Sequence, residues 1–307
     1  MTTQPITAAP TLRRERRRTG EALVGIGLGV AALVSVLTTV GIVVALLVPS
    51  IEFFSEINPL DYLFGTEWTP TFKDGSFGFV PLLAGTLHVT FWACLVGLPL
   101  GLGAAIYLSE YASPRSRAVI KPVLEVLAGI PTVVFGFFAL TFMTPLLRDI
   151  GLDTEIFNVL SAGLVMGLML IPTVASLSED AMSAVPHSLR EGAYALGSRK
   201  MRVATRVVVP AATSGIIASF VLAVSRAIGE TMIVVIAAGL KPGLLFNPLK
   251  GQETMTTFIA STGQGDISTG SLEYKTIFAV GLTLFVMTLV MNVIAIRLVR
   301  RFREVYE

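Results

Sequence analysis

The chain has 307 residues, of which 53% are hydrophobic and only 14% are charged, and its mean hydropathy is +0.75. Soluble globular proteins carry about 25% charged residues, so this composition excludes an ordinary water-soluble domain and indicates a protein that is solvated by the lipid bilayer. The formal net charge of +2 indicates no nucleic-acid partner, and the single cysteine, Cys94, excludes a disulfide framework.

The chain begins with a basic segment. Residues 1–20 hold Thr, Pro and five Arg, so they are predicted to be a disordered tail that fixes the topology, with binding to anionic lipid as the alternative. Residues 21–307 are predicted to form one six-helix membrane domain with its core at 80–300. The first apolar segment is longer than the about 7–15 residues of a signal-peptide core and is predicted to be retained as a span.

Six apolar segments are long enough to cross a hydrocarbon core as helices, which takes roughly 20 residues. They lie near 22–48, 80–107, 122–147, 157–178, 211–239 and 276–299. Seventeen Lys and Arg fall on the side of both termini and the 180–210 loop, five fall on the other side, and Arg226 inside a span completes the 23. Because positive residues concentrate on the cytoplasmic side, both termini and this loop are predicted to be cytoplasmic.

Two segments on the opposite side have distinct compositions. Residues 50–79 interleave aromatic side chains with Pro and Gly, which predicts a segment lying along the outer membrane interface. Residues 240–275 are rich in Gly, Ser and Thr, and they are predicted to make mobile contacts with an external partner.

The sequence offers no pattern for catalysis. Gly192 and Gly197 have the spacing of a phosphate-binding loop, but Ser198-Arg199 follows where Lys and Ser or Thr are required. His88 and His187 lie far apart, with no carboxylate or cysteine cluster beside either. The chain is therefore predicted to be no enzyme and to bind no metal or cofactor itself. The glycine pairs at 97 and 101 and at 163 and 167 predict close helix packing.

Charge inside the membrane is the strongest signal for a transport site. Arg226 lies near the middle of the fifth predicted span, where an Arg costs about 2.5–3.5 kcal/mol. Glu230 is four positions further on the same helical face, and Glu125 in the third span is a second candidate partner. The three residues form either an ion pair that orients helices or the lining of an anion path, because a guanidinium matches tetrahedral oxyanions. Glu179 and Asp180 are predicted to be solvated.

The loop before the fifth span carries a spaced motif. It consists of Glu191, Gly192, Ala193, Gly197 after three residues, and Pro210 after a further aliphatic run that includes Val207 and Val209. This pattern resembles the signature of binding-protein-dependent ABC importer permeases, with Gly192 in place of Ala and Val in place of Ile and Leu. In that family the loop is a coupling helix that docks on a cytoplasmic ATPase. Gly197 is predicted to adopt a positive φ, and Pro210 to begin the fifth span.

A second resemblance concerns the cargo. Residues 124–136 (LEVLAGIPTVVFG), 225–232 (SRAIGETM) and 77–87 (FGFVPLLAGTL) resemble segments of phosphate-specific permeases, the last favouring the PstC type over its PstA partner. The resemblance implies an all-α, six-helix, MetI-like ABC permease fold in a bacterial inner membrane. It also implies transport-site roles for Arg226, Glu230 and Glu125.

The same resemblance implies the partners. They are a PstA-like sister permease that completes a heterodimer, two PstB-like ATPase subunits that carry ATP and Mg²⁺, and a PstS-like phosphate-binding protein outside the membrane. A PstA-type identity and an oxyanion other than phosphate, such as sulfate or molybdate, stay open. A secondary transporter, which needs no ATPase, and an integral membrane enzyme are the rival classes.

Overall fold

The structure is a computed structural model that describes residues 19–70, 72, 75–244, 246–265, 267–268 and 270–302. Within these ranges the fold is all-helical, with one isolated antiparallel bridge between Trp68 and Phe77. The predicted all-α class is therefore confirmed. Most of the predicted basic tail, residues 1–18, lies outside the described ranges.

The helices follow one another through short connections. Their bounds are α1 Thr19–Glu56, α2 Pro59–Phe64, α3 Val80–Ile106, α4 Pro114–Gly129, α5 Thr132–Phe138, α6 Thr144–Asp149, α7 Val159–Ser183, α8 His187–Ala195, α9 Lys200–Val203, α10 Val209–Ala211, α11 Thr213–Ile228, α12 Met232–Ala237, α13 Met255–Gly263 and α14 Leu272–Phe302. Three π-helical turns extend or join them, at Tyr107–Tyr111, Ala139–Met143 and Ala204–Val208.

In the part of the chain that the structure describes, five helical stretches are long and apolar enough to cross a membrane. They are Gly20–Glu56, Val80–Tyr111, Thr132–Asp149, Val159–Ser183 and Leu272–Val299. A sixth arises if Lys200–Ala211 and Thr213–Ile228, which meet at an angle of 73°, count as one bent span. The structure thus has five candidate spans, or six if the bent pair is one span, against the six predicted, and two of the predicted spans differ in form.

The third predicted span, 122–147, is broken in two. The amphipathic helix α4 ends at Gly129, Ile130 is extended with ψ 128°, and a new helix begins at Thr132. Pro131 explains the break, because its ring has no N–H and disfavours the helical conformation of the preceding residue. Mean hydropathy predicts one continuous span here because both helices contain apolar residues.

The fifth predicted span, 211–239, is also not one helix. It consists of α11, an interruption at Gly229–Thr231, and the short helix α12, which ends at Ala237. A second change of direction precedes α11, at Ala212. Arg226 therefore lies in the last turn of α11, beside a helix end, rather than in the middle of an uninterrupted helix.

Contacts divide the chain into two units, one up to Ala45 and one from Leu46 onward. The first contains most of α1, whose large apolar side chains are exposed. In the second, α3 and α7 pack at backbone distance: a Cβ added to Gly97 would lie 2.8 Å from the carbonyl oxygen of Gly167. The close packing predicted at the glycine pairs is confirmed.

Aromatic residues that were predicted to lie along the membrane interface form a core instead. Phe53, Tyr62, Trp68 and Phe79 are buried, and Trp68 stacks edge-on against Phe258 of α13 with ring centroids 4.8 Å apart. Two short segments, α2 and the Trp68–Phe77 bridge, fold these rings against α13 and α14. The interfacial prediction for 50–79 is thus wrong for these four rings. The mobile-loop prediction for 240–275 is wrong for its buried stretch 252–258.

The side chain of Lys275, near the start of α14, joins this helix to the end of α1. The Lys275 Nζ lies 3.0 Å from Glu56 Oε1 and 3.3 Å from Glu52 Oε2. Both glutamates belong to the second unit. This end of the bundle therefore has its own charged anchor, distinct from the charges around α8.

Candidate transport site and docking loop

The predicted docking loop, residues 186–210 and called the docking loop below, has the predicted backbone geometry at Gly197. The helix α8 starts after Pro186 and ends near Ala195, and Gly197 follows with φ +74°. The N–H of Gly197 donates to the Tyr194 carbonyl and that of Ser198 to the Ala193 carbonyl, which closes the helix end as a glycine cap. The predicted positive φ at Gly197 is confirmed.

The loop presents apolar side chains outward. Leu196 is 88% exposed, and Met201 and Tyr194 are also exposed. Glu191 and Gly192 lie on this surface, whereas Ala193 is half-buried against the cluster beneath. An exposed apolar tip on a polar loop is typical of an interaction surface.

Pro210 lies in α10, directly after the π-helical turn Ala204–Val208. The bend at Ala212 follows it, and α11 begins at Thr213. Pro210 thus precedes the bend of the sixth candidate span rather than opening its long apolar segment. The aliphatic part of the motif faces inward, since Val208 is buried and Val207 and Val209 are half-buried.

Arg190 anchors the docking loop to the spans, and no pattern in the sequence predicted this contact. Its side chain is 12% exposed and that of Glu110 is 5% exposed. The guanidinium Nη2 lies 3.0 Å and Nε 3.2 Å from Glu110 Oε1, and the same group donates to the carbonyls of Val185 and Met182. Because the partners are 80 residues apart, no helical periodicity links them.

The prediction that Glu179 is solvated is wrong. It is 1% exposed rather than solvated, and its carboxylate accepts from Arg117 and, at 3.0 Å, from Lys121 Nζ. Both cations lie on one face of α4, which has no buried residue of its own. The pairs therefore attach α4 to α7. Asp180 is exposed as predicted.

Arg226 is exposed at the break after α11. Its Nη1 lies 3.4 Å from Thr173 Oγ1 on α7, and its position in the last helical turn suits a cation because the carbonyl end of a helix is negative. No ion pair joins Arg226 to Glu230 or Glu125 among the described residues. The guanidinium therefore keeps donors available for a ligand.

Glu230 acts as a helix cap rather than as the counter-ion of Arg226. Its Oε1 accepts from the N–H groups of Met232 at 3.0 Å and Ile233 at 3.3 Å, and its backbone carbonyl accepts from Thr256. The predicted pairing on one helical face is wrong because α11 ends at Ile228, before Glu230. The buried carboxylate instead satisfies the first donors of α12.

Glu125 lines a cavity of about 360 Å³ between α4 and α7. Thr173, the hydrogen-bond partner of Arg226, lines the same cavity, together with Ser176, Lys121 and Glu179. The two segments predicted to bear on cargo also meet directly, since a Cβ on Gly136 would lie 3.1 Å from the carbonyl oxygen of Met232. The structure thus brings the segments around Glu125 and Arg226 together.

Another buried acid, Glu253, lies beside a different cavity. Glu253 is 7% exposed and lines a space of about 620 Å³ with Trp68, Phe72 and Phe258. Burial raises the pKa of the Glu253 carboxyl from 4.5 to about 7. Among the described residues no group of three His, Cys, Asp or Glu could hold a metal ion.

Comparison with known proteins gives a consistent result. A family model described as "Binding-protein-dependent transport system inner membrane component" matches residues 97–304. The chain is 35% identical to "Probable ABC transporter permease protein YqgH" of Bacillus subtilis, covering 84% of each chain. It is 34% identical to "Phosphate transport system permease protein PstC 1" of Mycobacterium tuberculosis, covering 80% of this chain and 83% of the relative.

A solved structure supports the fold. The inward-facing MetNI methionine ABC transporter superposes with a TM-score of 0.55 at 17% identity, covering 73% of this chain and 94% of the other. At that identity the likeness concerns the fold alone, and it confirms the predicted MetI-like architecture.

Proposed function

We propose that this chain, which belongs to the family of binding-protein-dependent transport system inner membrane components, carries inorganic phosphate across the membrane. Family membership makes it a permease subunit of an ABC importer, not itself catalytic. The finer assignment to phosphate draws on the three segments that resemble phosphate-specific permeases. It also draws on the relatives described as phosphate transport permeases.

The observation that carries the proposal is the position of Arg226. It is an exposed cation in the last turn of the apolar helix α11, and its Nη1 lies 3.4 Å from Thr173 Oγ1 on α7. An Arg within an apolar span is costly and needs an anionic or polar partner. Since Glu230 is engaged by backbone N–H groups, an oxyanion is the partner that fits the guanidinium best.

Glu125 has a different part in this proposal. Its carboxylate lines the cavity that also contains Thr173, Lys121 and Glu179. A carboxylate near a bound anion weakens that binding by like-charge repulsion, so Glu125 would hasten release of the anion from Arg226. Thr173 and Ser176, one helical turn apart on α7, supply hydroxyl donors along the same wall.

The docking loop is proposed to lie in the cytoplasm and to contact an ATPase subunit. The excess of Lys and Arg on its side supports the orientation, as does membership of a family that works with ATPases. The exposed tip formed by Tyr194, Leu196 and Met201 suits a groove on that partner.

The chain would then be one half of a heterodimeric path. A PstA-like sister subunit supplies the other wall, two ATPase subunits bind ATP and Mg²⁺ inside, and a PstS-like protein delivers phosphate outside. ATP binding and loaded binding protein each favour one of two conformations of the pair, which couples hydrolysis to import. The same charge count supports a cytoplasmic position of both termini, and the resemblance to bacterial permeases supports a bacterial inner membrane.

The test is phosphate uptake by the reconstituted complex. Arg226→Gln should lower uptake of radiolabelled phosphate at least tenfold, because the neutral amide loses the charge and the bidentate fork. Arg297→Gln, which changes an exposed arginine near the end of α14, is the matched control and should leave uptake unchanged. If the Arg226→Gln complex assembles fully and takes up phosphate at the normal rate, Arg226 does not line the phosphate path.

The competing cargoes are separated in the same vesicles. ATP hydrolysis should rise with phosphate-loaded binding protein and stay at its basal level with sulfate- or molybdate-loaded proteins. Uptake driven by an ion gradient without ATP would favour a secondary transporter instead.

A further inference from the structure

The docking helix α8 is weakly embedded in this chain. None of its residues is buried, and its apolar contacts with the bundle come from the half-buried Leu189 and Ala193. A nine-residue helix with so little burial has little stability of its own. Something else must hold it in register with the spans.

Arg190 supplies that connection through four hydrogen bonds. Its Nε and Nη2 donate to Glu110 Oε1, its Nη1 donates to the Val185 carbonyl at 2.6 Å, and its Nη2 also donates to the Met182 carbonyl at 2.7 Å. The planar guanidinium matches this set because its donors point in fixed, divergent directions. An ammonium group on the same helix could reach only part of the set.

The acceptors belong to the ends of two packed helices. Glu110 lies in the π-helical turn that ends the α3 stretch, and Ser109 Oγ holds its carboxylate at 3.1 Å. Met182 lies in the last turn of α7, where carbonyls lack partners within the helix. Because α3 and α7 contact at the backbone level at Gly97 and Gly167, Arg190 is tied to a pair of closely packed helices.

We propose that Arg190 is the positioning residue that transmits movement of the docking helix to the α3–α7 pair, with Glu110 as its partner. This inference rests on the proposed function, since it takes α8 to be the ATPase contact. A movement of α8 pulls on buried, charge-assisted hydrogen bonds, which are shorter and stronger than neutral ones. The exposed residues Glu191 and Gly192 meet the ATPase, and Arg190 on the inner face carries the displacement inward.

The experiment compares transport with hydrolysis in the complete complex. Arg190→Lys should leave the ATPase subunits bound and hydrolysis within twofold of the original, while phosphate imported per ATP falls at least fivefold. Arg115→Lys makes the same chemical change at an exposed residue of α4 and should leave the ratio unchanged. An unchanged ratio for Arg190→Lys overturns the proposal.

A second variant separates a role in transmission from a role in assembly alone. Glu110→Gln keeps the size and one acceptor oxygen but removes the charge, and it should also lower phosphate per ATP, by a smaller factor. If both variants prevent assembly of the complex, the pair holds the fold only and the transmission role is rejected. Gly197→Lys tests docking separately: it should lower recovery of the ATPase, and full recovery with normal transport would contradict the docking assignment rather than the role of Arg190.

Discussion

Two regions of the molecule bury acidic side chains in opposite ways. Around α8 the buried carboxylates of Glu110 and Glu179 each meet Arg or Lys. In the 230–258 region Glu230 and Glu253 are buried without an ion pair among the described residues. Glu230 relies on backbone N–H groups, and Glu253 relies on a raised pKa.

The difference shows how each region keeps its shape. A buried carboxylate paired with a cation fixes the elements that carry the two charges, because removing either partner leaves the other charge buried and uncompensated. A buried carboxylate without a cation is stable only while helix donors or a bound proton compensate its charge. The stability of the 230–258 region should therefore depend on pH, because burial raises the pKa of Glu253.

The largest expected effect concerns Glu253. Its folded-state pKa of about 7 lies above the ordinary 4.5, so between these values the unfolded chain ionises while the folded chain keeps the proton. Stability falls as pH rises through this window, by about 3 kcal/mol at about 1.4 kcal/mol per pKa unit. Glu253→Gln should remove that loss, which thermal unfolding of the complex at pH 5 and pH 8 measures. An equal pH dependence in both proteins would contradict the contrast between the regions.

The next effect concerns Glu179. Glu179→Ala removes both contacts that attach α4 to α7, and it should destabilise the protein by about 2 kcal/mol. This is less than the 3–5 kcal/mol for breaking a fully buried pair, because Arg117 and Lys121 are partly exposed and can be solvated. Asp180→Ala, at the exposed neighbour, should change the unfolding temperature very little. Equal effects of the two substitutions would mean that burial of Glu179 contributes nothing.

The smallest effect distinguishes two roles for Glu230. Glu230→Ala removes a helix cap and should cost about 1 kcal/mol, whereas Glu230→Gln keeps an oxygen that accepts from Met232 and Ile233 and should be nearly neutral. Thermal unfolding measures both, and phosphate uptake is recorded alongside. If Glu230 neutralised Arg226 instead, the Gln variant would be as defective in uptake as the Ala variant.

Hydropathy and charge counting predicted much of the architecture, since length and polarity determine which segments suit a bilayer. They missed the breaks at Pro131 and Gly229, because a mean over a window does not register a single residue that interrupts a helix. Pro131 was a visible signal, and its effect on Ile130 follows from local sterics. The positive φ of Gly197 was predicted correctly because it depends on the local backbone at the end of a helix.

The candidate site was predicted less completely. The segments around Glu125 and Arg226 do meet, but the assumed pairing with Glu230 required an unbroken helix. Arg190, Glu110 and the surroundings of Glu179 depend on partners about 60 to 80 residues away, which a single sequence does not encode as a period. Such contacts are set by tertiary packing.

The length of α1 has a consequence for the membrane around the protein. Its 38 residues span about 57 Å at 1.5 Å per residue, and its apolar stretch 22–48 alone covers about 40 Å. A typical hydrocarbon core is about 30 Å thick. The helix is therefore mismatched to an average bilayer and must tilt or gather thicker lipid around itself.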